Sequence, residues 1–492
     1  MKHTISYFLL AIFASVWTAC SHSASEPQSA ASINQLPDIF PDYVDVTIPS
    51  KIAPLRFNLR HAPEEAIVSI SCGDEKIVCK ASGEKGFQID EKQWNKMLEA
   101  SVGKELEVKV YEKIEGNWQM YLPFCWTVST DPIDPYLVYR LLEPGYEIWN
   151  EMGIFQRSLA DYKETAVISN HLTNNNCINC HSFPNQDPSQ MVLHMRGKGG
   201  GTYLFQSGEI TKLNGKVSEK IPSLVYPSWH PSGDFIAFST NQTRQAFHFN
   251  DKNRIEVMDY ASDVFVYDVK KNEVLTFPQL FSEMAFETFP HFSPDGKTLY
   301  FCSAEAQKMP ESYENIKYSL CSISFDPATR TFGTQVDTLY NGKENDKSVS
   351  FPRVSPDGKF LVFTLSDYGN FSIWHKEADL YIANLQDRTI APLEAANSDN
   401  VESYHSWSSN SRWLVFSSRR IDGLYTHPHL IHIDEEGKAG KPFILPQKNV
   451  SFYSTYMQSF NIPEFVKGPV EYPSHKIANT TLEQGKTISI YK

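Results

Sequence analysis

Apolar and polar residues alternate with a period of two through most of the chain, the pattern of half-buried β-strands. Between 43 and 130 it appears in YVDVTIP, LRFNLR, AIVSISC, ELEVKVYEK and WQMYLPFCWTV. One stretch, DEKQWNKMLEA, is spaced instead for a short amphipathic helix, with Asp90 placed to cap its start. Residues 41–130 are therefore expected to form a small β-sandwich, immunoglobulin-like in architecture. The run DPIDP at 131–135 punctuates its end. From 131 to 170 the pattern changes, and YLVYRLLEPGYEIWNEMGIFQRSLADYKE reads as a helical linker broken at Pro144 and Gly145. Its aromatics Tyr136, Tyr139, Tyr146, Trp149 and Phe155 either pack the linker against a neighbouring domain or wall a cofactor pocket.

Further on, the alternation repeats as a unit. YPSWHPSGDFIAFST, FPHFSPDGKTLYFCS, FPRVSPDGKFLVFTL and YHSWSSNSRWLVFSS place Trp229, Phe292, Val354 and Trp407 at equivalent positions, 63, 62 and 53 residues apart. Each unit has a strand, a turn and a second apolar strand, and another strand follows: SDVFVYDV, YSLCSISF, ADLYIANL and PHLIHID. The Ser-Pro-Asp-Gly turn suits a tight hairpin: proline fixes φ, aspartate bonds nearby backbone, and glycine accepts positive φ. Repeated multi-strand units of this length are propeller blades. With Ser293-Pro294-Asp295-Gly296 and Ser355-Pro356-Asp357-Gly358 each followed by an LYF or LVF strand, residues 220–440 resemble the β-propellers of the TolB-like family. Six blades is what that resemblance implies. The expected fold is mainly β: the N-terminal sandwich, a propeller over 201–465 and a tail at 466–492. MVLHMRG and GTYLFQSGEITKL read as part of a further blade, and VSFYSTYMQSFNIPEF as strands for a closing one.

The N-terminus changes the setting. One lysine precedes an apolar run from Ile5 to about Trp17, which is too short to span a bilayer and is laid out as a secretory signal, 1–19. Thr18 and Ala19 lead into Cys20, which resembles a bacterial lipoprotein box with Cys20 as the lipidated residue. Trp17 departs from the leucine usual there, and an ordinary signal peptide is the competing reading. The small polar residues from 20 to 40 then serve as a tether, placing the protein in the bacterial cell envelope, anchored to membrane through lipid and facing the periplasm or the outer membrane. The net charge is −13 with no basic block, which argues against nucleic-acid binding. Export permits disulfides. Cys72–Cys79 and Cys302–Cys321 are candidate pairs; buried free thiols are the alternative, and Cys125 is left over.

The distinctive chemistry lies at Asn174–Phe183, NNNCINCHSF. Cys-x-x-Cys-His is the attachment signature of haem c: Cys177 and Cys180 would take the porphyrin vinyl groups, and His181 would ligate iron. A structural zinc site would need further ligands, and no second Cys-x-x-Cys follows. A thiol–disulfide exchange pair would need a thioredoxin-like context. Asparagines before the motif and PNQDP after it predict a haem-bearing loop within 171–200. With YRLLEPGYEIWNEMGIFQRSL before it and CINCHSF and MVLHMRGKGGGT within it, the chain resembles propeller lipoproteins of the Bacteroides group that carry a cytochrome c motif. In QMVLHMRG, read as a strand, Met191, Leu193 and Met195 face one way and Val192, His194 and Arg196 the other. His194 is the expected second iron ligand and Arg196 a partner for a haem propionate. Met191, Met195 or an open position are the alternatives. His230, His291 and His405 recur near the starts of repeats but at differing offsets, which favours separate structural roles. Glu287 and Glu402 fall at matching repeat positions.

Three functions are compatible with these features. One is electron transfer through a single covalent haem c, with a redox partner docking on the propeller. Another is a haem enzyme, peroxidase-like, with the propeller channel as substrate chamber. The third is a binding module in which the haem is structural or sensory.

Overall fold

A computed structural model describes residues 24–143, 150–248 and 251–491. Cys20, Pro144, Gly145, Tyr146 and Trp149 lie outside the described residues. Among those residues no helix is long and apolar enough to cross a membrane.

The N-terminal strands join into one seven-stranded sheet. Glu105–Ile114 is its hub, pairing with Glu65–Cys72 on one side and with both Asn117–Met120 and Phe124–Val128 on the other. Val46–Ile48 and Ala31–Ser32 add parallel strands at the margins. This pairing is mixed and does not by itself specify an immunoglobulin architecture. The predicted helix forms at Glu91–Ala100, with the Asp90 carboxylate accepting from the Lys92 and Gln93 amides. Its Trp94 meets Trp126 edge to face at 5.6 Å. The same core runs on into Trp413, Leu430 and Phe460 of the propeller.

Six blades follow, four of them four-stranded and two, blades 3 and 4, five-stranded. Blade 2 is Cys177–Ser182, Met191–Arg196, Gly201–Gln206 and Glu209–Leu213. Blades 3 to 6 begin with the inner strands Val225–Trp229, Ala285–Phe292, Ser348–Val354 and Glu402–Trp407. Blade 1 is composite: the late strand Ser459–Val466 is innermost, followed outward by Tyr136–Leu142, Met152–Ser158 and Glu164–Ser169. The C-terminal stretch predicted to close the ring does so.

Two expectations are corrected here. The linker at 131–170 holds strands, and the propeller starts at Tyr136, well before 201. Tyr136–Leu142 is buried along five consecutive residues, so it lacks the alternation that marks a strand covered on one side only. The Cys-x-x-Cys-His motif is not on a loop but forms the inner strand of blade 2. The tail is also structured: Ser489–Ile490 adds a parallel strand to the outer edge of blade 3.

The turns work as their composition demands. Ser293 Oγ donates to Asp295 at 2.5 Å and accepts from the Thr298 amide at 3.0 Å, while Gly296 takes φ 71°. Blade 5 repeats this at Ser355 and Asp357, and blade 6 does so with Ser408 and Asn410.

All seven described cysteines are free. Cys302 and Cys321 lie on adjacent strands but pair with Leu320 and Phe301, and they enter different cores on opposite faces of blade 4. Cys72 and Cys79 share a hairpin but pair with Glu75 and Val68. Neither arrangement brings two thiols into register.

Candidate functional site

Every inner strand slips its register at one place. The slips fall between Ile178 and His181, Val225 and Ser228, Thr288 and His291, Ser350 and Arg353, and Ser403 and Ser406. In blade 1 the matching slip spans Ile462 and Pro463. At these bulges Tyr226, Phe289, Phe351, Tyr404 and Ile462 adopt φ between 49° and 53°, a left-handed conformation that bulky residues rarely hold. The bulge re-aims four of these side chains towards one another at the axis. Ring centroids stand at 4.4 Å for Tyr226–Phe289, 4.1 Å for Phe289–Phe351 and 4.7 Å for Phe351–Tyr404. Tyr226 and Phe351, two blades apart, approach to 6.4 Å. The axis is therefore filled by aromatic rings packed edge to face and tilted.

Cys180 and His181 border this plug. Cys177, Cys180 and His181 are all buried. Neither ring nitrogen of His181 has a hydrogen bond of good geometry, although the Val138 carbonyl lies close enough to favour a proton. Burial, reinforced by the Arg140 guanidinium, pulls the imidazole down to about 3. Burial also pushes the Cys177 thiol up, opposed by Arg140 and Arg196. Arg140 itself donates to the Asn179 side chain within the motif.

Haem c calls for two thiols, an imidazole and room for a porphyrin. The donor types are present, two free thiols and a buried imidazole, but Cys177 pairs with Arg196 and so leaves the face opposite His181. The space is also lacking. The cavity beside Cys180 and His181 holds about 20 Å³, room for one water, whereas a porphyrin needs a pocket of several hundred Å³. The closed ring as packed has no place for the group.

His194 is corrected as a second ligand. In an antiparallel ladder, paired residues project from the same face and their neighbours from the other. His181 pairs with Leu193, so His194 projects from the opposite face of blade 2. It is buried there, with Nδ1 3.0 Å from Thr202 Oγ1, and burial holds it down at about 3. Arg196 shares its face and is exposed at the strand end. Met191 and Met195 pack in the core between blades 1 and 2. Among the described residues no three His, Cys, Asp or Glu side chains gather to hold a metal ion.

The repeated histidines do separate work. His230 Nε2 meets the Gly296 carbonyl at 3.1 Å, and His405 Nε2 meets the Val362 carbonyl at 2.9 Å. Glu402 is neutralised by Arg420 and by the Ser398 and Ser418 hydroxyls. Glu287 is buried with less support, and burial, helped by Asp263, pushes it up to about 8.

Two clusters escaped the sequence reading. On the turn side of the plug, a mouth of about 240 Å³ is lined by His291, Arg353 and Glu464 together with aromatic, proline, serine and amide side chains. Arg353 and Glu464 occupy the bulge position that holds serine in blades 3 and 6, so aligning the repeats at that position would have exposed them. The second cluster fastens the overlong hairpin of blade 3, Phe235–Phe247 and Ile255–Asp268. Asp259 accepts from Tyr318 Oη at 3.0 Å and from the Asn241 and Asn370 amides. Glu256 accepts from Tyr368 Oη at 2.6 Å and meets His375 Nε2 at 3.2 Å. No repeat pattern signals this cluster, because Glu256 and Asp259 lie on the hairpin extension while Tyr318, Tyr368, Asn370 and His375 come from segments next to other blades.

No family model and no curated relative matches this chain. Among solved structures it is similar to prolyl oligopeptidase B from Galerina marginata, with 10% identity, 62% of this chain and 44% of that chain covered, and a TM-score of 0.35. It is also similar to a DUF4784 family protein from Bacteroides caccae, with 9% identity, 75% and 97% covered, and a TM-score of 0.29. The chain thus spans under half of the oligopeptidase it matches. The six-bladed assignment stands on this chain's own strand pairing.

Proposed function

We propose that this chain is an exported, lipid-anchored haem c protein of the electron-transfer type, built on a TolB-like propeller. The observation that carries the reading is His181: a buried imidazole with neither nitrogen in a well-formed hydrogen bond, directly after two free thiols in the haem c spacing. Haem c, when bound, supplies one-electron chemistry at its iron. Cys177 and Cys180 would hold it covalently, His181 would ligate it, and Arg140, whose charge acts on both His181 and Cys177, would face its propionate charge. The 20 Å³ cavity does not admit the group, so on this reading haem would attach before the ring closes and blades 1 and 2 would pack around it differently. The aromatic plug supports a carrier over an enzyme that uses the channel as substrate chamber, because Tyr226, Phe289, Phe351 and Tyr404 fill the axis. Cys20 would carry the lipid, and a redox protein would dock on the propeller surface.

The test is protein produced in a host that matures c-type cytochromes. Intact mass should include one haem after acid-acetone extraction, and the pyridine haemochrome should show thioether-linked haem. Replacing Cys177 and Cys180 with serine should remove both signals, while Cys302→Ser should not. A haem-free mass in that host overturns the reading.

A further inference from the structure

The turn-side mouth of the channel holds a charge without a counter-ion. Arg353 reaches it from the inner strand of blade 5, beside the plug residue Phe351. One guanidinium N–H donates to its neighbour's carbonyl, Pro352 O, at 2.9 Å. Glu464, from blade 1, lines the same cavity and acts on Arg353 electrostatically, but the two make no hydrogen bond or ion pair. Burial pushes the Glu464 carboxyl up to about 8, against the pull of Arg353 and of the Phe183 amide, which favours its protonated form near neutral pH. His291, the other titratable group lining the mouth, is held neutral by burial and by Arg353 and His405. A recessed guanidinium facing a neutral acid and a neutral imidazole is a poor arrangement unless an anion completes it.

We propose that this mouth is a binding site for a small monocarboxylate carried on an apolar body, with Arg353 as its anchor. The charge count selects a monoanion. Arg353 is the only cation among the lining residues, whereas a phosphate carries about −1.5 to −2 at neutral pH and calls for more. The walls select the body. Trp229 and Trp407 flank the cavity with their indole N–H groups already spent, at 3.1 Å each, on the Ser182 and Arg353 carbonyls. They offer a ligand ring surface rather than donors, and Phe292 and Phe465 extend that surface. A volume of about 240 Å³ lies below the usual range of drug-sized pockets, which limits the body to about a single ring. The neutral Glu464 can donate a second hydrogen bond to the bound carboxylate. This site meets the cavity beside Cys180 and His181 at Arg353 and Glu464, so the proposed site belongs to the chain without haem, and the protein to be titrated is the haem-free chain.

The probe is sodium benzoate, titrated calorimetrically into the full purified chain at pH 7, with benzamide and inorganic phosphate as controls. Benzoate should bind saturably and raise Tm, and benzamide, of the same shape without charge, should bind at least about tenfold more weakly. Phosphate should show no saturable binding. Arg353→Gln should bind benzoate no better than benzamide, and Arg353→Lys should retain weakened binding because it keeps the charge but loses the fork. Benzoate affinity should fall as pH rises through about 8, where Glu464 ionises, and Glu464→Gln should remove that fall. The proposal is overturned by equal affinity for benzoate and benzamide, by unchanged benzoate binding in Arg353→Gln, or by no benzoate response in the wild type at about 10 mM. If Arg353→Gln fails to fold, the Glu464→Gln pH comparison decides: the same fall in both proteins overturns it.

Discussion

The rings of Phe289 and Phe351, from adjacent blades, lie 4.1 Å apart at the propeller axis, each on a backbone held near φ +50°. Their packing offsets the strain of two bulky residues in the left-handed region. Phe351→Ala should therefore lower unfolding stability by about 3–5 kcal/mol in urea titrations, because it also strips partners from Tyr226 and Tyr404. An effect under about 1 kcal/mol would mean that the plug is not a packed core.

His194 and His181 leave opposite faces of blade 2, so they cannot ligate one iron from its two sides. If haem is present, His194→Ala should leave the reduced and oxidised spectra unchanged and alter only stability, by about 1–3 kcal/mol, through the lost bond to Thr202. A change to a high-spin spectrum in this variant would reverse the assignment.

The latch on the blade 3 hairpin should respond to pH. Burial pulls His375 down, but its bonds to Glu256 and Glu377 outweigh burial and hold it up at about 9. A histidine raised above its unfolded value of about 6.5 stabilises fully below that pH, and the contribution is lost as pH rises through the folded value. Wild-type stability relative to His375→Gln should therefore be greatest near pH 6 and shrink between about 6.5 and 9. Protease cleavage within the hairpin should increase over the same window. A pH-independent difference between the two proteins would refute the latch.

Blade 1 takes its inner strand from the far end of the chain, with Tyr136 pairing Val466. A chain ending at 458 would lack that strand and leave an unpaired edge on Tyr136–Leu142. It should lose the single cooperative unfolding transition and aggregate, as followed by circular dichroism and light scattering. A chain ending at 488 keeps the buried Ile488, removes the edge strand Ser489–Ile490 with Tyr491, and should stay within about 2 kcal/mol of the full protein.

Blades 3 to 6 were legible because their turns are local chemistry: serine, proline, aspartate and glycine act within five residues of one another. Blade 1 was not, since its inner strand lies more than 300 residues from the strand it pairs with and Leu137–Leu141 is buried on both faces. The face alternation of Met191–Arg196 was read correctly within the strand. Which face His181 joins depends on the bulge at Asn179 and Cys180, and a bulge leaves no mark in the hydrophobic pattern. Asparagine and proline on either side of the motif suggested a loop, yet they bracket a six-residue strand. Arg353 and Glu464 went unnoticed because each stands alone in its repeat, and their meeting is a property of the ring.

The composite blade also sets an order of events in time. A chain made and delivered from its N-terminus completes blades 2 to 6 before Ser459–Val466 is available. Until then blade 1 has no inner strand, the axis is open along one side, and Cys177–Ser182 lies beside the gap. The last strand to arrive decides when the interior becomes inaccessible. Any group too large for the finished interior has only that interval in which to enter.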